Sequence, residues 1–182
     1  DRQGQLDVVP YLMNETTFEH LARGLSQRMR FFEALLNDIY GERHLLADGS
    51  VPADLLFSNP EYLIEAHGLN PQTPWVSFLA HDLGRDSRGQ WFVLGQSTRA
   101  PAGLGYVLER RLIMSRVMGY LLRQMSVKRL SGFFRMLRQF LRSDSRDQDL
   151  SILMTPGQSV ESYFEHAFLA NHLGFTLAEG DD

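Results

Sequence analysis

Apolar side chains recur every three or four positions from Phe18 through Leu21, Leu25, Met29, Phe32 and Leu36 to Ile39. That period places them on one face of a helix. Thr16 followed by Glu19 has the spacing of a capping box, and Gly41 is a natural stop, so an amphipathic helix is predicted over residues 16–41. In "LADGSVPADLLFSNPEYL" and "HGLNPQTP", glycine, proline and asparagine break up short apolar pieces. A packed connection is expected there, with one short helix at Ala53 to Phe57. The pattern then changes to alternation. "WVSFLAHDL" and "QWFVLGQ" flank "GRDSRG" and predict a β-hairpin.

Helical spacing returns from Leu108 to Met125, with Leu108, Leu112, Val117, Leu121 and Leu122 on a broad apolar face. "VKRLSGFFRMLRQFLR" predicts a second helix, in which Phe133, Phe134 and Phe140 form a core stripe. After the polar break "DSRDQD" comes "LSILMTPG", expected to be a buried strand running into a glycine turn. "ESYFEHAFLANHLG" reads as a helix closed by Gly174, and "FTLAEGDD" starts another strand. Strand, turn, helix and strand in this order make a βαβ-type unit with a parallel pair. The fold class is therefore α/β, or mixed α+β. Residues 1–146 form one expected region and 147–182 the start of the βαβ-type unit. Such a unit normally leads on to more sheet, so the chain reads as part of a longer protein.

Composition narrows the function. The 182 residues are 43% hydrophobic and 22% charged, enough for one large domain or two lobes. A net charge of −4 gives no global attraction to nucleic acid or an anionic membrane. Cysteine is absent, which removes disulfides and thiolate metal sites. No apolar run reaches the length of a membrane span and no signal peptide opens the chain, so a cytoplasmic protein is expected. Of 18 basic residues only Lys128 is lysine. Phosphoryl-transfer enzymes usually place a lysine on the phosphates, so any such lysines belong elsewhere in the protein.

The stretch "GQSTRAPAGLGYVLERR", residues 95–111, carries the densest candidate chemistry. Amides of a turn containing Gly103 and Gly105, ahead of a helix, can converge on an anion. Glu109 can ligate Mg²⁺, and Arg99, Arg110 and Arg111 can contact phosphate oxygens. The same stretch also reads as a plain strand-to-helix connection with solvated arginines. Thr155, Pro156 and Gly157 follow a strand and precede a helix, where α/β sheets bind ligands, although a connecting turn without a ligand fits equally. Glu165, His166 and His172 on one helix could suggest metal or acid–base work but lack the spacing of a zinc-protease motif, and the histidines read as hydrogen-bonded packing residues. Ten basic residues fall between Arg110 and Arg146. They read as a solvated face, with nucleic-acid binding the weaker alternative.

Three stretches in order, "GLSQRMRFFEALLNDIYG", "STRAPAGLGYVLERRLIMSR" and "LMTPGQSVESYFEHAFLANHLGFTLAEGDD", resemble the circularly permuted ATP-grasp proteins of bacteria. The likeness is to their type 2 group, related to the glutathionylspermidine synthetase fold, and runs from about Leu6 to Asp182. It implies an incomplete ATP-grasp-like fold and the N-terminal part of a ligase. Such a ligase uses ATP and Mg²⁺ to activate a carboxylate as an acyl phosphate for attack by an amine or thiol. By resemblance Glu109 is the metal-binding glutamate, Arg99 the catalytic arginine, and Gly103, Gly105, Arg110, Thr155 and Gly157 contact the nucleotide. Gln96 stands where the family usually has a metal-binding aspartate, Arg110 where it has asparagine, and Val160 where it has asparagine. Exchanging an anionic oxygen ligand for an amide weakens Mg²⁺. The resemblance therefore also implies an alternative, a degenerate binding module partnered by alpha-E or transglutaminase-like domains.

Overall fold

A 26-residue helix organises the first half of the chain. The computed structural model describes residues 9–71, 73–99, 101–142 and 151–180, and the chain divides between Pro101 and Ala102 into two units. The expected boundary at residue 146 lies outside the described residues.

In the first unit helix α1 spans Glu15–Tyr40. Asn14, not Thr16, caps it, because its side-chain oxygen accepts from the Thr17 amide at 2.8 Å. That is the bond a capping residue makes with an orphan amide. Gly41 ends the helix as expected. Along the predicted face Ile39 is buried, Leu21, Leu25, Met29, Phe32 and Leu36 are half-buried, and Phe18 is exposed.

The last turns of α1 then order the connection. Both oxygens of Glu33 accept backbone amides, from Trp75 and Val76, each at 3.0 Å, and Val76 is buried. Asp38 takes the amides of His44 and Leu45 at 2.9 and 3.0 Å, capping the short helix α2, His44–Ala47. Tyr40 stacks between Tyr62 and Trp75, with ring centroids 5.4 and 4.9 Å away. Helix α3 spans Ala53–Phe57, where the sequence places it.

Strands β1, Ala80–Arg85, and β2, Trp91–Ser97, pair antiparallel in the expected hairpin. Strand β1 begins five residues later than the alternation from Trp75 suggests, since the amides of Trp75 and Val76 bond to Glu33 rather than to a strand. Asp86 closes the turn by accepting from Arg88 and Gln90 at 2.9 and 2.7 Å. A register shift falls between Asp82 and Leu83, as in a bulge.

The second unit begins with α4, Leu104–Val117, and α5, Gly119–Gln124. The single helix expected from Leu108 therefore starts a turn earlier and breaks at Met118, beside a glycine of low helix propensity. Of its predicted face Leu108 is buried, whereas Val117 is three-quarters exposed and Leu112 and Leu121 are partly exposed. Helix α6, Ser131–Arg142, starts four residues late, after Ser126 takes a left-handed conformation with φ 51°. Phe134 and Leu137 are buried, while Phe133 and Phe140 stand on its exposed side.

Strand β3, Ile152–Met154, helix α7, Tyr163–Leu173, and strand β4, Thr176–Ala178, form the predicted parallel βαβ-type unit. Gly174 closes α7 at φ 70°, and the Phe175 amide reaches back to the Ala170 carbonyl at 2.8 Å. That is the glycine-ended arrangement only a residue without Cβ enters freely. Strand β3 is not the buried strand expected, for Ile152 and Met154 are exposed on its open face. Core side chains come from α4, α6 and α7: Leu108, Phe134, Leu137, Leu169 and Leu173. Among the described residues no helix is long and apolar enough to cross a membrane.

In the hairpin, His81 keeps its Nε2 buried without a hydrogen-bond partner. Burial, reinforced by the Arg28 guanidinium, holds its imidazole below the usual histidine range. The unfolded chain then binds a proton near about pH 6.5 that the folded chain refuses. Stability is complete above that pH and is lost as pH falls. Thermal unfolding between about pH 7 and about pH 5 should show a falling Tm, and His81→Gln should flatten the slope. An equally steep slope in that variant would exclude His81 as a source.

Candidate functional site

The turn ahead of α4 has no side-chain cap of its own. Its N-terminal residue is Gly103, at φ 121°, so the first amides of the helix need an acceptor from outside. Glu165, in the first turn of α7, supplies it. Its Oε1 accepts from the Gly103 amide at 2.6 Å and from the Gly105 amide at 2.9 Å. Glu165 is only 2% exposed. A carboxylate beside a helix N-terminus also meets the positive end of the dipole. Both amide bonds are charge-assisted and therefore stronger than neutral ones. The other oxygen, Oε2, is buried with no hydrogen-bond partner.

Close approach of α7 to α4 explains the second glycine. A Cβ at Gly105 would lie 2.6 Å from Glu165 Cγ and 3.0 Å from its carbonyl oxygen. Tyr106 adds to the contact, with its hydroxyl donating to the Glu161 carbonyl at 3.3 Å and its ring stacking on Phe164 at 5.9 Å.

The next residue, His166, faces the other predicted loop. Its Nδ1 lies 2.9 Å from Thr155 Oγ1, and that oxygen also accepts from the Gly157 amide at 3.3 Å. Thr155 is buried, and Gly157 sits at φ 99° with its Cα side closed by Glu179: a Cβ would lie 2.8 Å from Glu179 Oε2. The dipeptide Glu165–His166 thus joins Gly103 and Gly105 to Thr155 and Gly157. His172 packs edge-on to Phe134, as a packing residue would.

Among the described residues the other candidates take no part in the hydrogen bonds of this network. Gln96 lies in β2 opposite His81, and its Oε1 accepts from Arg28 at 3.1 Å. Arg99 follows β2 in the first unit and places one Nη within 2.8 and 2.7 Å of the two Glu61 oxygens. Both partners are well exposed, so the pair contributes at most about 1 kcal/mol and can be released readily. Glu109 is half-buried and Arg110 exposed on α4 in the second unit. Among the described residues neither has a hydrogen-bond or ion-pair partner. No group of three or more His, Asp or Glu among the described residues is placed to hold a metal ion.

Chemically, then, the glycine turn is an anion cradle whose anion is a carboxylate of the same unit. Phosphate would enter only by displacing Glu165. The sequence pattern assigns Glu165 no such role, and its link to the turn emerges from the fold. A usable signal was present: Gly103 before a helix with no Ser, Thr, Asp or Asn to cap it requires an acceptor from elsewhere.

The chain belongs to the circularly permuted ATP-grasp type 2 family, whose sequence model matches residues 10–182. An uncharacterized protein of Synechocystis sp. is 32% identical over 181 residues, covering 97% of this chain and 38% of that protein. An uncharacterized protein of Mycobacterium tuberculosis is 34% identical over 186 residues, covering 100% of this chain and 34% of its own length. A protein of Frankia casuarinae named "Putative glutamate--cysteine ligase 2-2" is 34% identical over 181 residues, covering 97% of this chain and 21% of that protein. The chain spans between 21% and 38% of the length of these relatives.

Removing the acceptor should be expensive. Glu165→Ala should lower stability by about 2–4 kcal/mol, because one buried and one half-buried amide lose their partner, and Gly105→Ala by about 1–3 kcal/mol through overpacking. Glu165→Gln, which retains one acceptor oxygen, should fall between wild type and Glu165→Ala. Urea unfolding measures all three. A Glu165→Ala midpoint equal to that of wild type would show that the carboxylate does not close the turn.

Proposed function

We propose that this chain is part of an ATP-dependent ligase that joins a carboxylate to an amine, acting with ATP and Mg²⁺. The observation that carries this reading is family membership across nearly the whole chain, in company with a relative that bears a ligase name. In such an enzyme this segment serves as framework. Its two family motifs are fixed to each other by Glu165 and His166, while Arg99 and Glu109 are the side chains available to reacting groups. Arg99 is held only by an exposed pair and can turn to a developing negative charge.

The residues described here do not by themselves fit a Mg²⁺–nucleotide site. The Gln96 oxygen is already engaged by Arg28, the glycine amides are taken by Glu165, and no three-ligand cluster is present among the described residues. Other parts of the full-length protein would have to supply the metal carboxylates and the phosphate-binding lysines. The engagement of Gln96 favours a second reading, a degenerate ATP-grasp module that binds a partner rather than catalysing.

Calorimetry on the full-length protein separates the two. A ligase should bind ATP with Mg²⁺ at submillimolar concentration, and absence of heat at millimolar nucleotide would reject it. A degenerate module should show none until Gln96→Asp with Arg110→Asn creates metal-dependent binding.

A further inference from the structure

Positive charge is distributed very unevenly. The chain carries a net −4, yet residues 102–142 hold nine basic residues (Arg110, Arg111, Arg116, Arg123, Lys128, Arg129, Arg135, Arg138 and Arg142) against one acid, Glu109. That is a net +8 in 41 residues, and −12 for the remainder. Like charges so concentrated repel one another in the folded state, and the strain is relieved where an anion is brought among them.

The fold gives part of this charge a shape. The end of α4, α5, the turn after it and the start of α6 surround a hollow of about 630 Å³, within the second unit alone. Arg111, Arg123, Lys128 and Arg129 line it, and among the described residues not one Asp or Glu does. Its floor is apolar, formed by Leu108 and Phe134, both buried. Ser131, the first residue of the 12-residue helix α6, stands on the wall, so the free amides of that helix end lie at the same place. Among the described residues the guanidinium groups of Arg111, Arg123 and Arg129 have no hydrogen-bond or ion-pair partner. A solvated basic face would spread its cations over a convex surface. Here they converge on a concavity of the size that takes a small molecule.

The geometry points to a binding site for a small polyanion bearing at least two phosphate or carboxylate groups and an apolar portion. The arginines take the acidic groups, since a guanidinium matches either oxyanion with two parallel bonds. The apolar portion rests on Leu108 and Phe134. The site is separate from the glycine turn that Glu165 fills, and it does not depend on the ligase reading: a degenerate module would carry it equally. Nucleic acid is the poorer occupant because the exposed aromatics Phe133 and Phe140 do not line the hollow, and Phe134, which does, is buried and offers little ring face for stacking.

The test is calorimetric titration of the full-length protein with tripolyphosphate and, separately, with citrate, at low salt and at about 0.15 M salt. One saturable site should appear for at least one probe, and which probe binds tells phosphate from carboxylate. Arg123→Ala with Arg129→Ala should weaken that probe about tenfold or more. Arg116→Ala with Arg135→Ala, the same charge change outside the hollow, should alter it about twofold or less. All four side chains are exposed, so each variant should fold, and circular dichroism checks it. No saturable binding of either probe overturns the proposal. So does equal weakening by both double variants, which would mean a diffuse field, or binding confined to an oligonucleotide or to phosphatidylserine vesicles.

Discussion

The buried carboxylate of Glu165 and the two glycine amides it accepts are the interaction on which the second unit depends. Helix α4 begins with amides that lack a capping side chain, and α7 begins with an acid that would be costly to bury alone. Each makes the other tolerable. Their contact sets the spacing of the two helices, which is close enough that residue 105 has no room for a Cβ. It also places His166, the next residue, against Thr155 at the end of β3. One dipeptide on α7 thereby fixes both of the loops that carry family motifs.

The first unit uses the same device twice with a different helix. Glu33 and Asp38 on α1 each accept two backbone amides of the following connection. A connection rich in glycine and proline has few ways to satisfy its own amides, and carboxylates from a stable helix do it instead. The result is a scaffold in which several carboxylates serve the backbone. Among the described residues no Asp or Glu lines the hollow beside α6, whereas three arginines and a lysine do.

Most element types were legible because their periods are strong. The 3.6-residue repeat from Phe18 to Ile39, the short helix at Ala53, the hairpin around "GRDSRG" and the glycine-closed helix before Gly174 all stand where the pattern puts them. Errors gathered where a distant partner overrides a local signal. Asn14 caps α1 although Thr16 has the better motif, Trp75 and Val76 leave the strand for Glu33, and α4 starts early because Glu165 caps it. The exposed Ile152 and Met154 could not be foreseen from an apolar run, since periodicity reports which residues alternate and not whether a layer covers them. The family resemblance was readable from three long motifs, but the use of its glycine turn was not. A turn that can grip phosphate and a turn that grips a carboxylate from 60 residues away have the same sequence.

The glycine turn is already occupied by the Glu165 carboxylate. Nuclear magnetic resonance on full-length protein labelled with ¹⁵N-glycine reads it directly, through the amides of Gly103 and Gly105. Both should exchange slowly with solvent and resonate downfield, as protons shared with a carboxylate do, and neither should move when ATP and Mg²⁺ are added. Rapid exchange at these two amides, or a shift on adding the nucleotide, would contradict it.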